Sequence, residues 1–275
     1  MTGAPNDRRA AAMRTTGWVV LAAVLLVLPL QFPQYRVLQF VSWMALAVAA
    51  CGLNLLTGFN GQISVGHGAL YGLGAYATAI LITKAHWPML AAGAAATVVC
   101  FIVGVVIGLP ALRIKGLYLA LVTLAVATLF PLVIEQFPNL TGGGGGLAVT
   151  SPRMFRGAIR DKKIIFESPI AGLAEDQWKY YLFLSVTVVC FVLTRNLVRS
   201  RVGRSLVAIR DNETAAAVSG VPVATVKILT FGVSSALAGI GGTIFALNNA
   251  QVNPTSFTIT ISIYLLVIVV TGGAA

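Results

Sequence analysis

Long apolar segments recur along this chain, and no other feature of the sequence restricts its fold as strongly. About 20 helical residues cross a hydrocarbon core of roughly 30 Å, where only helices and closed barrels satisfy their backbone polar groups. The segments therefore predict an all-α fold, a polytopic transmembrane helical bundle with about eight spans, in a single membrane domain over residues 1–275. The predicted spans are 18–32, 37–57, 63–83, 89–110, 114–135, 178–198, 226–247 and 258 to the end.

The composition excludes a soluble domain, because 57% of the residues are hydrophobic and only 10% are charged. A net charge of +11 would suggest nucleic-acid binding in a soluble protein, but here the basic residues flank apolar segments. We therefore interpret them as charges that orient the chain in a lipid bilayer, and we expect no nucleic-acid partner. The three cysteines lie inside apolar segments without ligand spacing, so neither a disulfide framework nor a metal site is predicted.

The distribution of basic residues predicts the orientation of the spans. With the N-terminus in the cytoplasm, 11 of the 19 Lys and Arg residues fall on the inner side, and most of the others lie in the middle of one long loop. This arrangement predicts a cytoplasmic membrane protein with an external loop over 136–177 and a cytoplasmic loop over 199–225. The inner residues are Arg8, Arg9, Arg14, Arg113, Lys115, Arg195, Arg199, Arg201, Arg204, Arg210 and Lys227.

The stretch 199–222 is the one long polar segment with a helical pattern between apolar spans. Asp211 and Asn212 are good N-cap residues, Glu213 suits a first turn, and Gly220 followed by Pro222 ends a helix. A turn with four arginines precedes this helix. The pattern predicts a short, firmly bounded helix outside the bilayer that contacts another protein, and a solvated basic loop is the alternative interpretation.

Polar residues and glycines interleave over residues 52–76, at or near membrane depth. A lipid-facing helix does not tolerate this pattern, so we expect a broken or kinked backbone that lines a translocation path. The alternative is that the glycines let helices pack closely while the polar groups bond between them, and for His67 alone we favour that structural role. The predicted path residues are Asn54, Gln62, Ser64, His67 and Tyr71.

Two other classes of function remain open from the residues alone. A stand-alone secondary transporter would need an ionisable group in the membrane, and His67 is the main candidate. A membrane enzyme would need a nucleophile and a base, and Ser64 near His67 is the only suggestive pair. No third orienting group is evident, so no catalytic residue and no cofactor are predicted. The chain also carries no P-loop signature, so energy for uphill transport would come from a partner.

Four motifs in order resemble the permease subunits of branched-chain amino acid ABC importers, of the LivM type. They are GLNLLTGFNGQISVGHGALYGLGAY, LRIKGLYLALVTLA, LTGGGGGL, and GRSLVAIRDNETAAAVSGVPVATVKILTF with the SSALAGIGGTIFA that follows. The resemblance implies a second permease subunit, cytoplasmic ATP-binding subunits and an extracytoplasmic solute-binding protein. It implies branched-chain amino acids as solutes, with urea or short amides as an alternative. Because such sequences continue beyond the last apolar run seen here, we expect a C-terminal truncation.

The resemblance also assigns a role to the polar helix. Such permeases hold a variant of the EAA motif in a cytoplasmic loop, and Thr214-Ala215-Ala216 with Gly220 matches its spacing, with Thr214 in place of the glutamate. We expect the charged residues to set the register on an ATP-binding subunit, and Ala215, Ala216 and Val218 to supply apolar contact. The predicted coupling residues are Arg204, Arg210, Asp211, Glu213, Ala215, Ala216 and Gly220.

Overall fold

A computed structural model describes residues 23–112, 116–149, 159–160, 163–164, 174–249 and 251–272. Several predicted features lie outside these residues: Arg8, Arg9, Arg14, Arg113, Lys115, the start of the first predicted span and much of the 136–177 loop. The described helices are α1 (23–31), α2 (Gln34–Asn54), α3 (His67–Thr83), α4 (Met89–Ala111), α5 (Leu117–Glu135), α6 (Pro138–Thr141), α7 (Glu175–Arg199), α8 (Arg201–Asp211), α9 (Glu213–Val218), α10 (Val223–Asn249) and α11 (Ile259–Thr271).

The prediction of a polytopic helical bundle is confirmed, and the count of eight spans is approximate. Among the described residues, six helical stretches are long and apolar enough to cross a membrane: Gln34–Phe59, Met89–Pro110, Tyr118–Glu135, Glu175–Arg199, Val223–Asn249 and Pro254–Thr271. The predicted span 63–83 differs because its helix, α3, begins only at His67 and has 17 residues. At 1.5 Å per residue it is about 26 Å long, slightly shorter than a bilayer core.

Helix α10 lies at the centre of the bundle and packs along α2, α3 and α4. Small residues allow this close approach. A Cβ atom added at Gly74 of α3 would collide with the backbone of Gly239 in α10, and one added at Gly242 would collide with the backbone of Tyr71. Helices α4 and α5 instead leave many large apolar side chains exposed, as expected for surfaces that face lipid.

Short strands and tight turns connect the helices at the end of the bundle where α5 finishes. Strand β1 (Leu147–Ala148) pairs with β4 (Gln251–Val252) in antiparallel register, and β2 (Ile159–Arg160) pairs with β3 (Lys163–Ile164). Gly142 and Gly146 have φ values of 78° and 73°, which glycine adopts without steric cost. The glycine run thereby forms a tight turn between α6 and β1.

The opposite end of the bundle carries α8 and α9. Ser200 caps α8 by accepting a hydrogen bond from the Val202 N–H, and Asn212 caps α9 by accepting one from the Ala215 N–H. The capped helix starting at Glu213 was therefore predicted correctly. The prediction of an arginine-rich turn before it was wrong, because Arg199 ends α7 and the other three arginines lie in the 11-residue helix α8, whose Leu206 and Ile209 are buried on one face.

Candidate functional site

The backbone breaks between α2 and α3, as the glycine-rich sequence predicts. Helix α2 continues as a π-helical turn over Leu55–Phe59, and residues 60–66 are then not helical. Gly61 has a φ of 70°, and the Gln62 N–H donates to the Leu56 carbonyl over 3.1 Å. The Thr57 hydroxyl donates to the Gln62 carbonyl over 3.2 Å. We call residues 54–66 the broken segment, since they interrupt the helix inside the bundle.

His67 is fully buried and connects three parts of the fold. Its Nε2 lies 2.7 Å from the Ser234 Oγ, and its Nδ1 lies 3.2 Å from the Ser64 Oγ. The Ser234 hydroxyl donates to the Gly52 carbonyl over 2.5 Å, so it accepts from Nε2–H, and Nδ1 then accepts from Ser64. Both ring nitrogens are thus used in bonds that hold the bundle together, in agreement with the structural role favoured for this residue.

Tyr71 also lies in the interior of the bundle. Its ring packs against Phe245 and Phe257, with centroids 5.7 and 5.9 Å away, and the residue is almost completely buried. The side chain therefore fills the space between α3, α10 and the turn before α11. His67 and Tyr71 of α3 therefore lie behind the broken segment, and Ser64, within that segment, bonds to His67.

Asn54 and Gln62 line two separate cavities. Asn54 borders a cavity of about 460 Å³ between α2, α7 and α11, together with Cys51, Arg195 and Arg199. Its Oδ1 atom is buried and has no hydrogen-bond partner among the described residues. The five predicted path residues are consequently not gathered around one opening in this subunit.

Gln62 borders a cavity of about 220 Å³ between the broken segment and the α8–α9 helices. We call it the junction cavity. It brings a predicted path residue together with three predicted coupling residues, Arg210, Asp211 and Glu213. Its lining residues are Asn60, Gly61, Gln62, Gly116, Leu119, Ile209, Arg210, Asp211, Asn212, Glu213 and Lys227.

Arg210 links the two predicted sites directly. Its Nη1 donates to the Gly58 carbonyl over 2.8 Å, at the end of the π-helical turn, while its Nε donates to the Asp211 carboxylate over 3.3 Å. A Cβ atom at Gly61 would lie 3.0 Å from the Arg210 side chain, so the glycine allows this contact. The sequence predicted Arg210 as a contact to a partner, whereas its guanidinium is directed toward the broken segment of its own subunit.

Glu213 joins α9 to the central helix α10. Its carboxylate lies 2.8 Å from the ammonium of Lys227, whose side chain is only 8% exposed. Sequence reasoning missed this role and counted Lys227 only as an orienting charge. A basic residue in the first turns of a helix that follows a short acidic helix is the signal that could have indicated the pair.

The outer face of α9 differs from the prediction at one position. Ala216 is 4% exposed and packs inward, so it does not offer contact area to a partner. Ala215 and Arg204 are exposed, and Val218 is 86% exposed, the highest value among the large apolar residues that the structure describes. Gly220, two residues further on and with a φ of 85°, turns the chain toward α10.

Comparison with known proteins shows to which family the chain belongs. A family model described as "Branched-chain amino acid transport system / permease component" matches residues 37–275. The chain belongs to this permease family. It is a multi-pass membrane protein of a family of transport subunits, which accounts for the apolar helices and the glycine-rich motifs.

Curated members of the permease family are similar over most of the chain. The high-affinity branched-chain amino acid transport system permease proteins LivM of Salmonella typhimurium and Escherichia coli are each 30% identical over 239 residues, or 82% of this chain. The match covers 56% of the length of each relative. The corresponding BraD protein of Pseudomonas aeruginosa is 26% identical over 216 residues, covering 76% of this chain and 68% of the relative. No solved structure matches the chain.

Proposed function

We propose that the chain is the membrane-spanning permease subunit of an ABC importer and forms part of the translocation path for branched-chain amino acids. The names of its relatives, which specify branched-chain amino acid transport, favour this solute class over urea or short amides. In this proposal the protein lies in the cytoplasmic membrane with its N-terminus inside. The 136–177 loop is external, and the 199–225 loop is cytoplasmic.

The proposed partners follow from the surfaces that the subunit leaves open. Cytoplasmic ATP-binding subunits would dock on α9, whose Val218 exposes an apolar side chain at the polar end of the bundle. A second permease subunit would complete the path, and an extracytoplasmic solute-binding protein would deliver the solute to the opposite end. Hydrolysis of ATP takes place in the partner, since the chain has no P-loop signature.

The contact between Arg210 and Gly58 is the observation that carries this proposal. It attaches α8 and α9, which we call the docking helices, to the broken segment by a charge-assisted hydrogen bond of 2.8 Å. A rigid-body displacement of α8 and α9 by an ATP-binding subunit would therefore pull on the backbone where the helix is interrupted. In this mechanism Arg204, Ala215 and Val218 face the partner, while Arg210, Asp211 and Glu213 transmit the movement inside the subunit.

The proposed path runs along the broken segment. Asn54 and Gln62 present polar groups to cavities on its two sides. His67 and Tyr71 support it from behind through the hydrogen bonds and ring contacts described above, and Ser64 is its own contact to His67. A wall held by a neutral histidine offers no obvious site for ion coupling, which argues against a stand-alone secondary transporter.

The experiment is co-purification of the full-length protein with its ATP-binding subunits from membranes. We expect Val218→Glu to abolish co-purification and ATP-driven leucine uptake while the protein still inserts into the membrane, because a carboxylate then occupies an apolar contact. Leu140→Glu is the matched control, since Leu140 is 48% exposed in α6 at the other end of the bundle. It should retain association. Full association of the Val218→Glu protein would contradict the docking surface, and ATP-independent leucine flux from this chain alone in proteoliposomes would contradict the whole proposal.

A further inference from the structure

We infer that the junction cavity is a binding site for the α-ammonium and α-carboxylate groups of an amino acid that is leaving the path. This inference rests on the proposed function, because it takes the transported solute to be an amino acid. It assigns residues to a step that the family membership leaves open, namely where the solute is held next to the docking helices.

Three polar atoms of residues that line this cavity are buried without a hydrogen-bond partner in the described part of the chain. They are the Oδ1 and Nδ2 atoms of Asn60 and the Oε1 atom of Gln62. Asn60 is 2% exposed and Gln62 is 6% exposed, so bulk solvent does not satisfy them. Buried amides are nearly always hydrogen-bonded in folded proteins, so unpaired atoms on two residues that line one cavity indicate groups that can pair with a ligand entering it.

The charges around the cavity define the chemistry of that ligand. Arg210 and Lys227 contribute positive charge, and Asp211 and Glu213 contribute negative charge. The unpaired amides likewise offer one donor group and two acceptor oxygens. The charges are paired with one another, Arg210 with Asp211 and Lys227 with Glu213, so the cavity wall carries no net charge that would favour a simple anion or cation. A zwitterion, which has no net charge and carries an acceptor carboxylate and a donor ammonium a few ångströms apart, matches both the paired charges and the amide groups.

The size and the apolar wall of the cavity agree with a small aliphatic amino acid. A volume of about 220 Å³ corresponds to about seven water molecules at roughly 30 Å³ each. The buried side chains of Leu119 and Ile209 also line the cavity and can contact an aliphatic side chain. The cavity thus combines polar groups for the head of the molecule with apolar groups for its side chain.

Occupation of the cavity would affect coupling, because its lining includes the contacts that hold α8 and α9. Arg210 bonds to the broken segment, and Glu213 bonds to α10. A solute that interacts with these residues changes the equilibrium between positions of the docking helices. By thermodynamic reciprocity, docking of the ATP-binding subunits then changes the affinity of the cavity for the solute.

The test uses the complete transporter in nanodiscs without its solute-binding protein, so that radiolabelled L-leucine can bind only to the membrane complex. We expect saturable binding to the unmodified complex. The double variant Asn60→Leu with Gln62→Met removes the unpaired polar atoms and should bind leucine at least about 10-fold more weakly, as expected for the loss of two or more hydrogen bonds. Gln62→Asn keeps an uncharged amide at that position and should retain binding, which separates loss of the site from loss of folding.

Two controls define the chemistry of the site. Asn248→Leu removes an equally buried amide, whose Oδ1 also lacks a partner among the described residues, from the far end of α10. It should leave leucine affinity unchanged. The analogues 4-methylpentanoate, which lacks the ammonium, and 3-methylbutylamine, which lacks the carboxylate, should compete poorly with leucine. Unchanged binding in the double variant, equal competition by either analogue, or no saturable binding to the unmodified complex would overturn the inference, the last result indicating that the cavity holds water only.

ATP-driven leucine uptake, measured in parallel with the solute-binding protein present, distinguishes failure of the cavity assignment from failure of the proposed function. If the unmodified complex takes up leucine but its binding is insensitive to Asn60 and Gln62, only the assignment of the cavity fails. If the unmodified complex shows no ATP-driven leucine uptake, the proposed function itself fails.

Discussion

The ion pair between Glu213 and Lys227 should control the local stability of α9. The size of its contribution to that stability follows from how deeply the two side chains are buried. Removing one partner of a fully buried pair costs about 3–5 kcal/mol, whereas an exposed pair contributes about 0.2–1 kcal/mol. Here the Lys227 side chain is 8% exposed and the Glu213 side chain is 33% exposed. We therefore expect Glu213→Gln to lower the free energy of local opening of α9 by about 2 kcal/mol, or about 30-fold in the opening equilibrium.

Hydrogen exchange followed by mass spectrometry measures this opening directly. The amides of Ala216 and Ser219, which donate within and at the end of α9, report on the helix. We expect their protection to fall about 30-fold in Glu213→Gln and by a similar factor in Lys227→Met. The double variant should recover part of this loss, because no buried charge is then left without its partner. Strict additivity of the two single variants, or unchanged protection in either, would refute the assignment of this pair as the anchor of α9.

Three further perturbations test the bundle and its caps. Asn212→Ala removes the cap of α9 and should cost about 1 kcal/mol, seen as about fivefold lower amide protection in that helix; unchanged protection would contradict the cap. Gly74→Leu forces a side chain into the backbone of α10 and should destabilise the bundle by about 3 kcal/mol or more. Its thermal midpoint in detergent should fall, whereas Gly144→Ala, with open space around it, should match the unmodified protein. Ser234→Ala leaves the Nε2 of His67 unpaired and should cost about 1–3 kcal/mol in the same assay; an unchanged midpoint would argue against the buried network.

The helical bundle and the bounded helix α9 could be predicted because their signals are local. Apolar length indicates a span, and the cap at Asn212 and the left-handed glycine at Gly220 bound a helix wherever it lies in the fold. Helix α8 was missed for a physical reason. Its arginines dominate the composition, and only two buried apolar residues, Leu206 and Ile209, mark the face that packs on the bundle.

The arrangement of the site could not be predicted because it depends on contacts between residues far apart in the sequence. His67 and Ser234 are 167 positions apart, and Arg210 and Gly58 are 152 positions apart. A polar residue in an apolar segment indicates that a partner exists, but it does not specify which helix provides that partner. The sequence thus identified which groups are unusual for a membrane helix, and the packing of α10 against α3 decided which of them bond to one another.

The internal use of the charged residues narrows the surface that α9 can offer to a partner. The Arg210 guanidinium bonds to the broken segment, Glu213 pairs with Lys227, and Ala216 packs inward. The part of α9 that stays exposed is a small surface of short side chains that ends in Val218. Because such a surface can fit closely into a groove, recognition of an ATP-binding subunit there would depend on shape and apolar contact. The contacts of Arg210 and Glu213 within the subunit would instead keep α9 rigid enough for its displacement to reach the broken segment.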